Sequence, residues 1–292
     1  MRKPNWLVKP LPDAQALKRM RELLGGLGLH TICESGNCPN LGECWANSTA
    51  TFLILGDVCT RNCGFCDVPA GRPLPLDAQE PSRVAQAVRT LALAHVVITS
   101  VTRDDVADGG AEHFAATIRE IQQACPKTTV EVLIPDFSGD IDCLAVVLAA
   151  QPAILGHNVE TVRSLHSRMR PRFSYDRSLA ILAHAKHLAP LIYTKSSIMV
   201  GLGETEEETI ATLEDLRNVD CDFVTIGQYL QPSRHHTPVV EYVPPAIFEQ
   251  YHRAAQGLGF RYVASGPFVR SSYNAVAALD TEVRVSAARH EL

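Results

Sequence analysis

The chain has 292 residues, of which 46 % are hydrophobic and 20 % charged. That is enough for a sizeable core and too apolar for extended disorder, collagen or coiled coil. Its 27 Lys and Arg against 32 Asp and Glu leave a formal charge of −5, so a nucleic-acid partner is not expected. No apolar run approaches the roughly 18 residues of a membrane span. Pro10 and Pro12 follow the first basic residues where a secretory leader would need an apolar core. A cytoplasmic, reducing setting is therefore expected, with no membrane partner.

In chain order, residues 13–24 read as a helix, with Leu17, Met20 and Leu24 on one stripe and Gly25-Gly26 as its stop. Residues 31–50, rich in Cys, Asn, Gly and Ser, read as irregular. Strand and helix then alternate. Residues 51–57 form an apolar strand, and 80–92 a helix with Val84, Val88 and Leu91 on one face. Residues 95–101 are a β-branched strand, and 111–123 a helix faced by Phe114, Ile118 and Ile121. Strand 129–134, helix 141–150, strand 153–159, helix 175–188 and strand 191–200 follow. Helix 205–217 opens on a capping box, Thr205-x-x-Glu208, in which hydroxyl and carboxylate satisfy end amides reciprocally. Strand 222–229, helix 245–257 and a short strand 261–264 complete the series. Such alternation implies parallel strands with helical crossovers. The strands read as apolar throughout, as when both faces are covered. Closed barrels, partial barrels and open doubly wound sheets share this pattern, and each places its site at the carboxyl ends of the strands.

Nine cysteines are the anomaly, six of them between Cys33 and Cys66. In a reducing compartment clustered thiols bind metal or do chemistry rather than form disulfides. Cys59, Cys63 and Cys66 have C-x3-C-x2-C spacing on the loop after the first strand. Gly64 allows the tight backbone that lets three thiolates converge. Structural zinc and [4Fe–4S] cubes ordinarily take four protein ligands. Three therefore point to a cluster with one iron open, or to a zinc loop borrowing a distant ligand.

This loop, with Phe65 just before its last cysteine, resembles that of the radical S-adenosylmethionine superfamily. The resemblance implies an α/β partial (β/α)6 TIM-like barrel. It implies a [4Fe–4S] cluster whose open iron is chelated by S-adenosylmethionine, and chemistry through a 5′-deoxyadenosyl radical. It also implies that Asp108, Gly109 and Gly110, after the second strand, lie near the methionyl amine. Here Ala111 separates those glycines from Glu112, a departure from the superfamily's segment. Gly201, Gly203 and Glu204, after the fifth strand, are implied to pass the adenosine. On the residues alone, each segment is equally a turn and helix start.

Cys33, Cys38 and Cys44 have C-x4-C-x5-C spacing, too irregular for a zinc ribbon, and suggest a second cluster, again one cysteine short. Cys125, Cys143 and Cys221 are scattered on or near helices and read as small buried hydrophobes. The two triplets resemble those of the lipoyl synthase family. So do Arg270-Ser271-Ser272-Tyr273 and Thr99–Asp105 running into Asp108–Ala111, and the likeness spans about residues 30–275. This resemblance implies an N-terminal extension (1–50), a barrel (51–265) and a C-terminal segment (266–292). It implies an auxiliary [4Fe–4S] cluster on Cys33, Cys38, Cys44 and a serine, Ser271 or else Ser272, with Arg270 supporting the anionic ligand. An alkoxide matches iron less well than thiolate and makes a labile corner.

The implied reaction inserts sulfur at C6 and C8 of an octanoyl chain carried on a lysine of a lipoyl domain. The implied partners are octanoylated lipoyl carrier domains (2-oxoacid dehydrogenase E2 subunits and glycine cleavage H protein), reduced ferredoxin or flavodoxin, and an iron–sulfur cluster carrier. On the residues alone, Ser271-Ser272 is a turn or cap. Another radical sulfur-inserting enzyme would lack the upstream triplet and the Arg-Ser-Ser-Tyr segment. A two-cluster electron carrier would need a full ligand set and no strand-end pocket. Residues 163–172 carry Arg163, Arg168, Arg170 and Arg172 with no acid, which suggests a docking face for an acidic carrier or an ordinary solvated stretch. His157, Asn158, Lys195, Arg234, His235 and His236 lie near strand ends as further candidates.

Overall fold

The computed structural model describes residues 2–273, 275, 277 and 278. The remainder of the expected C-terminal segment lies outside the described residues. Seven strands pair in chain order, each parallel to the next: β2 (Thr51–Ile54), β3 (His95–Ser100), β4 (Thr129–Leu133), β5 (Ile154–Gly156), β6 (Tyr193–Val200), β7 (Phe223–Gln228) and β8 (Tyr262–Gly266). β1 (His30–Thr31) adds antiparallel to β2 at the edge. Among the described residues no pairing joins β8 back to β1. The architecture is the expected partial barrel of six strand–helix units closed by one further strand.

The crossovers run outside. They are α4 (Glu80–Thr90), α5 (Ala111–Ala124), α6 (Ile141–Ala149), the pair α7 (Arg163–Met169) and α8 (Tyr175–Leu188), α9 (Glu206–Asn218) and α10 (Pro245–Gly257). Outward residues of β2–β4, among them Ile54, Ile98 and Val132, pack on Val84, Val88, Phe114 and Ile118. Ile198, Val200, Val224 and Ile226 pack on Leu213, Leu216 and Phe248. These two buried layers drive the wrapping of the helices.

The inward face differs from the all-apolar strands expected. Alternate residues turn Thr99, Glu131, Lys195, Ser197, Thr225 and Gly227 toward the lumen, and Thr225 donates to Ser197 Oγ at 2.8 Å. A partial barrel keeps its lumen open for a ligand, so its inner face is small and polar. Lys195 sits near the amino end of its strand, 2.7 Å from Glu131, with His95 Nε2 3.4 Å from the same carboxylate. It belongs to the floor of the barrel, away from the carboxyl-end site.

Other differences have local causes. β2 stops at Ile54 because Leu55 (φ 70°) and Gly56 (φ 93°) turn the chain. α1 (Ala14–Gly26) forms as expected, capped by the Asp13 carboxylate. The stretch 31–50 is not irregular throughout. It holds α2 (Ile32–Ser35), capped by Thr31, and α3 (Leu41–Ala46). α7 has no capping side chain at Val162 and left no start signal in the sequence.

Candidate functional site

The first cysteine triplet follows the turn at Leu55-Gly56. Its loop closes on itself through Cys59 N to Pro69 O (2.8 Å) and Gly71 N to Cys59 O (2.9 Å). Cys59 Sγ accepts from the amides of Arg61 and Thr102, at 3.4 and 3.3 Å. Burial pushes the Cys63 thiol up to about 11 and that of Cys66 to about 12, and the Cys59 charge adds to both. Gly64 is required for a reason other than backbone freedom. Its amide donates to Met169 O, its carbonyl accepts from Thr237 N, and a β-carbon there would stand 2.8 Å from Thr237 Oγ1. Phe65 packs with Met169, Leu202 and Tyr229. His236 Nε2 donates to Cys66 O at 2.9 Å, which makes Nδ1 the acceptor toward Ser233.

The three thiols open on a cavity of about 140 Å³ that also exposes Phe65, His157, Asn158, Glu160, Arg170 and Phe173. Arg170, expected on the basic docking stretch, is instead buried against this cavity. It donates to Asn158 O at 2.8 Å, lies 3.7 Å from the Phe173 ring centroid and leaves its Nε without a partner. Burial pushes the Glu160 carboxyl up against the opposing pull of Arg170 and Asn158, and Asn158 Nδ2 donates to it at 3.0 Å. Glu160 and Phe173 carried no sequence signal; the crossover after β5 brings them in. Arg61, inside the cysteine loop, stacks on the same Phe173 ring at 4.1 Å. It pairs with Asp104 at 2.7 Å and with buried Asp136 at 2.9 Å, which holds both carboxyls below the usual range. His157 is fully engaged between Ile134 O and Ser178 Oγ, at 2.9 and 3.0 Å. Burial lowers it to about 4, so it is neutral and structural.

The second triplet gathers at β1, α2 and α3. Burial pushes Cys33 to about 11 and Cys44 to about 12; Cys38 raises the first further, and Cys33 and Cys38 the second. Cys33 and Cys38 line a surface groove of about 850 Å³. The C-terminal segment comes to the same place. Val269-Arg270 turns in against Gly227 of β7, whose β-carbon would stand 2.0 Å from Val269 O. Arg270 faces Cys38; burial pulls its pKa down and the thiol opposes that. Ser271 is half-buried, while Ser272 Oγ accepts from Thr51 Oγ1 at 2.9 Å. Among the described residues no three His, Cys, Asp or Glu converge on a point that would suit a single ion. The first triplet shares one cavity, whereas of the second only Cys33 and Cys38 face the groove.

The other candidates lie apart from the cysteine cavity. Asp108 and Gly109 line a different cavity, of about 470 Å³, with Arg103, Phe137 and Cys143. Asp108 accepts from the amides of Gly110 and Glu112, and Gly110 (φ 91°) opens α5. Glu204 folds back on the amides of Gly201 and Leu202. Leu202 of the glycine loop and Phe65 of the cysteine loop belong to one apolar cluster with Met169 and Tyr229. Cys143 and Cys221 are buried and Cys125 is half-buried. Of the four arginines after β5, Arg163 pairs with Asp176 and Asp215. Arg172 donates to Thr60 O at 2.8 Å; Arg163, Arg168 and Arg172 are all exposed, and Arg170 alone of the four is buried. Arg234 and His235 are exposed.

Residues 53–216 match the family model described as the radical SAM superfamily. The lipoyl synthase of Caldanaerobacter subterraneus subsp. tengcongensis is 56 % identical over 276 residues, 94 % of this chain and 96 % of its own. That of Geobacter sulfurreducens is 56 % identical over 274 residues, 94 % and 90 % of the two chains. Among solved structures, a methylornithine synthase superposes with a TM-score of 0.55 at 18 % identity, covering 71 % of this chain and 61 % of that one. A maturase of the [FeFe]-hydrogenase gives 0.54 at 14 %, covering 73 % and 55 %. These structural likenesses speak to the fold. Among the described residues no helix is long and apolar enough to cross a membrane.

Proposed function

The chain belongs to the lipoyl synthase family of radical S-adenosylmethionine enzymes. On that premise we propose that Cys33, Cys38, Cys44 and Ser271 hold a second, sacrificial [4Fe–4S] cluster, and that Glu160, Arg170 and Asn158 seat S-adenosylmethionine beside the first. The reaction is sulfur insertion at C6 and C8 of an octanoyl chain on a carrier protein. Those carbons are unactivated, and no acid or base on an ordinary side chain opens such a C–H bond. When bound, the first cluster and S-adenosylmethionine supply the 5′-deoxyadenosyl radical that does.

The donor sets fit. Each triplet includes two thiols whose ionisation burial makes costly, Cys33 and Cys44 in one and Cys63 and Cys66 in the other, and iron binding offsets that cost while releasing protons. Cys59, Cys63 and Cys66 would leave one iron open beside the cavity. Arg170 there has a buried, unpaired Nε–H, suited to the carboxylate of the methionyl group. Glu160 and the Asn158 amide suit its ammonium or the ribose hydroxyls. Phe65, Val68 and Phe173 give the cavity an apolar wall, which helps keep water from a radical formed there. At the second triplet Arg270 offers positive charge to an anionic ligand set, and Ser272 is already engaged by Thr51, leaving Ser271 to reach the iron. Octanoylated lipoyl domains of 2-oxoacid dehydrogenase E2 subunits and glycine cleavage H protein are the proposed carriers. Reduced ferredoxin or flavodoxin is the proposed reductant, and an iron–sulfur carrier rebuilds the second cluster.

The observation that carries the two-cluster reading is the meeting of the Cys33, Cys38 and Cys44 triplet with Arg270, the neighbour of Ser271, from the far end of the chain. Anaerobic reconstitution with iron and sulfide, followed by iron counting, tests it. The expected content is about eight irons per chain, falling to about four in Cys33→Ala. Given reductant, S-adenosylmethionine and an octanoyl-lysyl peptide, Cys33→Ala should still release 5′-deoxyadenosine while the peptide gains no sulfur. Full dithiolane product from Cys33→Ala would end the sacrificial-cluster reading.

A further inference from the structure

We propose that Lys9, Glu43 and Tyr273 form a latch that presses the serine-bearing C-terminal segment against the helix carrying Cys44, and so positions the fourth ligand of the second cluster. This rests on the two-cluster reading above. Lys9 Nζ donates to Asn40 Oδ1 and to Glu43 Oε2, both at 2.6 Å. The other carboxylate oxygen, Glu43 Oε1, accepts from Tyr273 OH at 2.7 Å. Asn40 is buried, and its Nδ2 donates to Phe268 O at 2.7 Å. Lys9 also lies 4.7 Å from the Phe268 ring centroid and 5.6 Å from that of Tyr273.

Three stretches remote in sequence are thus tied in one knot. One is the N-terminal strap, one is the turn that leads into Cys44, and one is the segment that carries Ser271. Each oxygen of Glu43 serves a different stretch, so losing either bond leaves the carboxylate free to turn and weakens the remaining tie. The strap is further fixed where Pro12 meets Gly42, whose β-carbon would stand 2.3 Å from Pro12 Cβ. Strap and helix together wall the groove that exposes Cys33 and Cys38. The chemistry gives the knot its purpose. A serine oxygen binds iron less well than a thiolate, so the chain must hold it in place by packing and hydrogen bonds supplied elsewhere. Lys9, Glu43 and Tyr273 are positioning residues: they act on the cluster through Cys44 and Ser271.

The test is chelator-driven iron loss from the anaerobically reconstituted full chain, followed by absorbance. Two phases are expected in the wild type, and the one that persists in Cys33→Ala belongs to the first cluster. Lys9→Met and Tyr273→Phe should each speed the second-cluster phase by about tenfold, the scale of one or two hydrogen bonds to a charged group. The first-cluster phase should keep its wild-type rate. Lys9→Arg should restore much of the slow phase. Lys9→Met with Tyr273→Phe should be no faster than the worse single variant, because the knot acts as a unit. Wild-type rates in both single variants would overturn the latch. Equal acceleration of both phases would also overturn it, since that marks a loosened protein. A wild type holding only about four irons would remove the second cluster, and the latch with it.

Discussion

Arg170 shows how a residue changes meaning between sequence and fold. In sequence it is one of four arginines in a basic run; in the structure it is buried with an unpaired Nε facing the cysteine cavity. Arg170→Met should weaken S-adenosylmethionine binding by about a hundredfold, the cost of truncating a buried charged partner. The iron content and absorbance of the first cluster should be retained. Equilibrium dialysis against S-adenosylmethionine reads the first effect, and unchanged affinity would remove Arg170 from the site. Glu160→Gln should raise KM for S-adenosylmethionine more than it lowers kcat, because the group binds the cofactor without touching the carbon that reacts. The cysteines were legible at this scale because ligand spacing is local. Glu160, Phe173 and Lys9 were not, because their neighbours are set by topology rather than by sequence distance.

Elements behave in the same way. The helix–strand alternation was readable because each outward stripe repeats at a fixed period, whereas α7 escaped notice because nothing caps Val162. The α7–α8 layer also sets a pH dependence. His157 and His166 are both lowered from 6.5 to about 4, chiefly by burial. A histidine lowered by folding favours the neutral native form. Its contribution is complete above pH 6.5 and is lost as pH falls from 6.5 to about 4. For each buried ring that is at most roughly 3 kcal/mol. Urea midpoints should therefore fall across this window, and the slope should be shallower in His166→Leu. The carboxylates lowered by Arg61 act only at more acid pH. Glycines at two elements should respond in opposite directions. Gly25 in α1 has open space around a β-carbon, and Gly25→Ala should stabilise by about 0.5–1 kcal/mol. Gly227→Ala would meet the Val269 carbonyl and should unseat the C-terminal segment, with iron falling to that of one cluster.

At the scale of the whole molecule, the barrel is closed at one end by charge. Glu131 lies between Lys195 at 2.7 Å and His95 at 3.4 Å, all with side chains almost completely buried. Burial raises the Glu131 carboxyl, but Lys195 and His95 outweigh it and hold the pKa below the usual range. Polar residues at this depth follow from a lumen that must stay open above them. Apolar packing would fill it, while a buried ion pair makes a floor that a hydrocarbon chain does not enter. Such a pair adds little net stability, yet breaking it strands a charge. Lys195→Met should cost about 3–5 kcal/mol by urea unfolding, through the uncompensated Glu131. The double variant Lys195→Met with Glu131→Met should recover most of that loss. If the two single changes instead add, the floor is held by packing, and the ion pair is incidental to how the barrel ends.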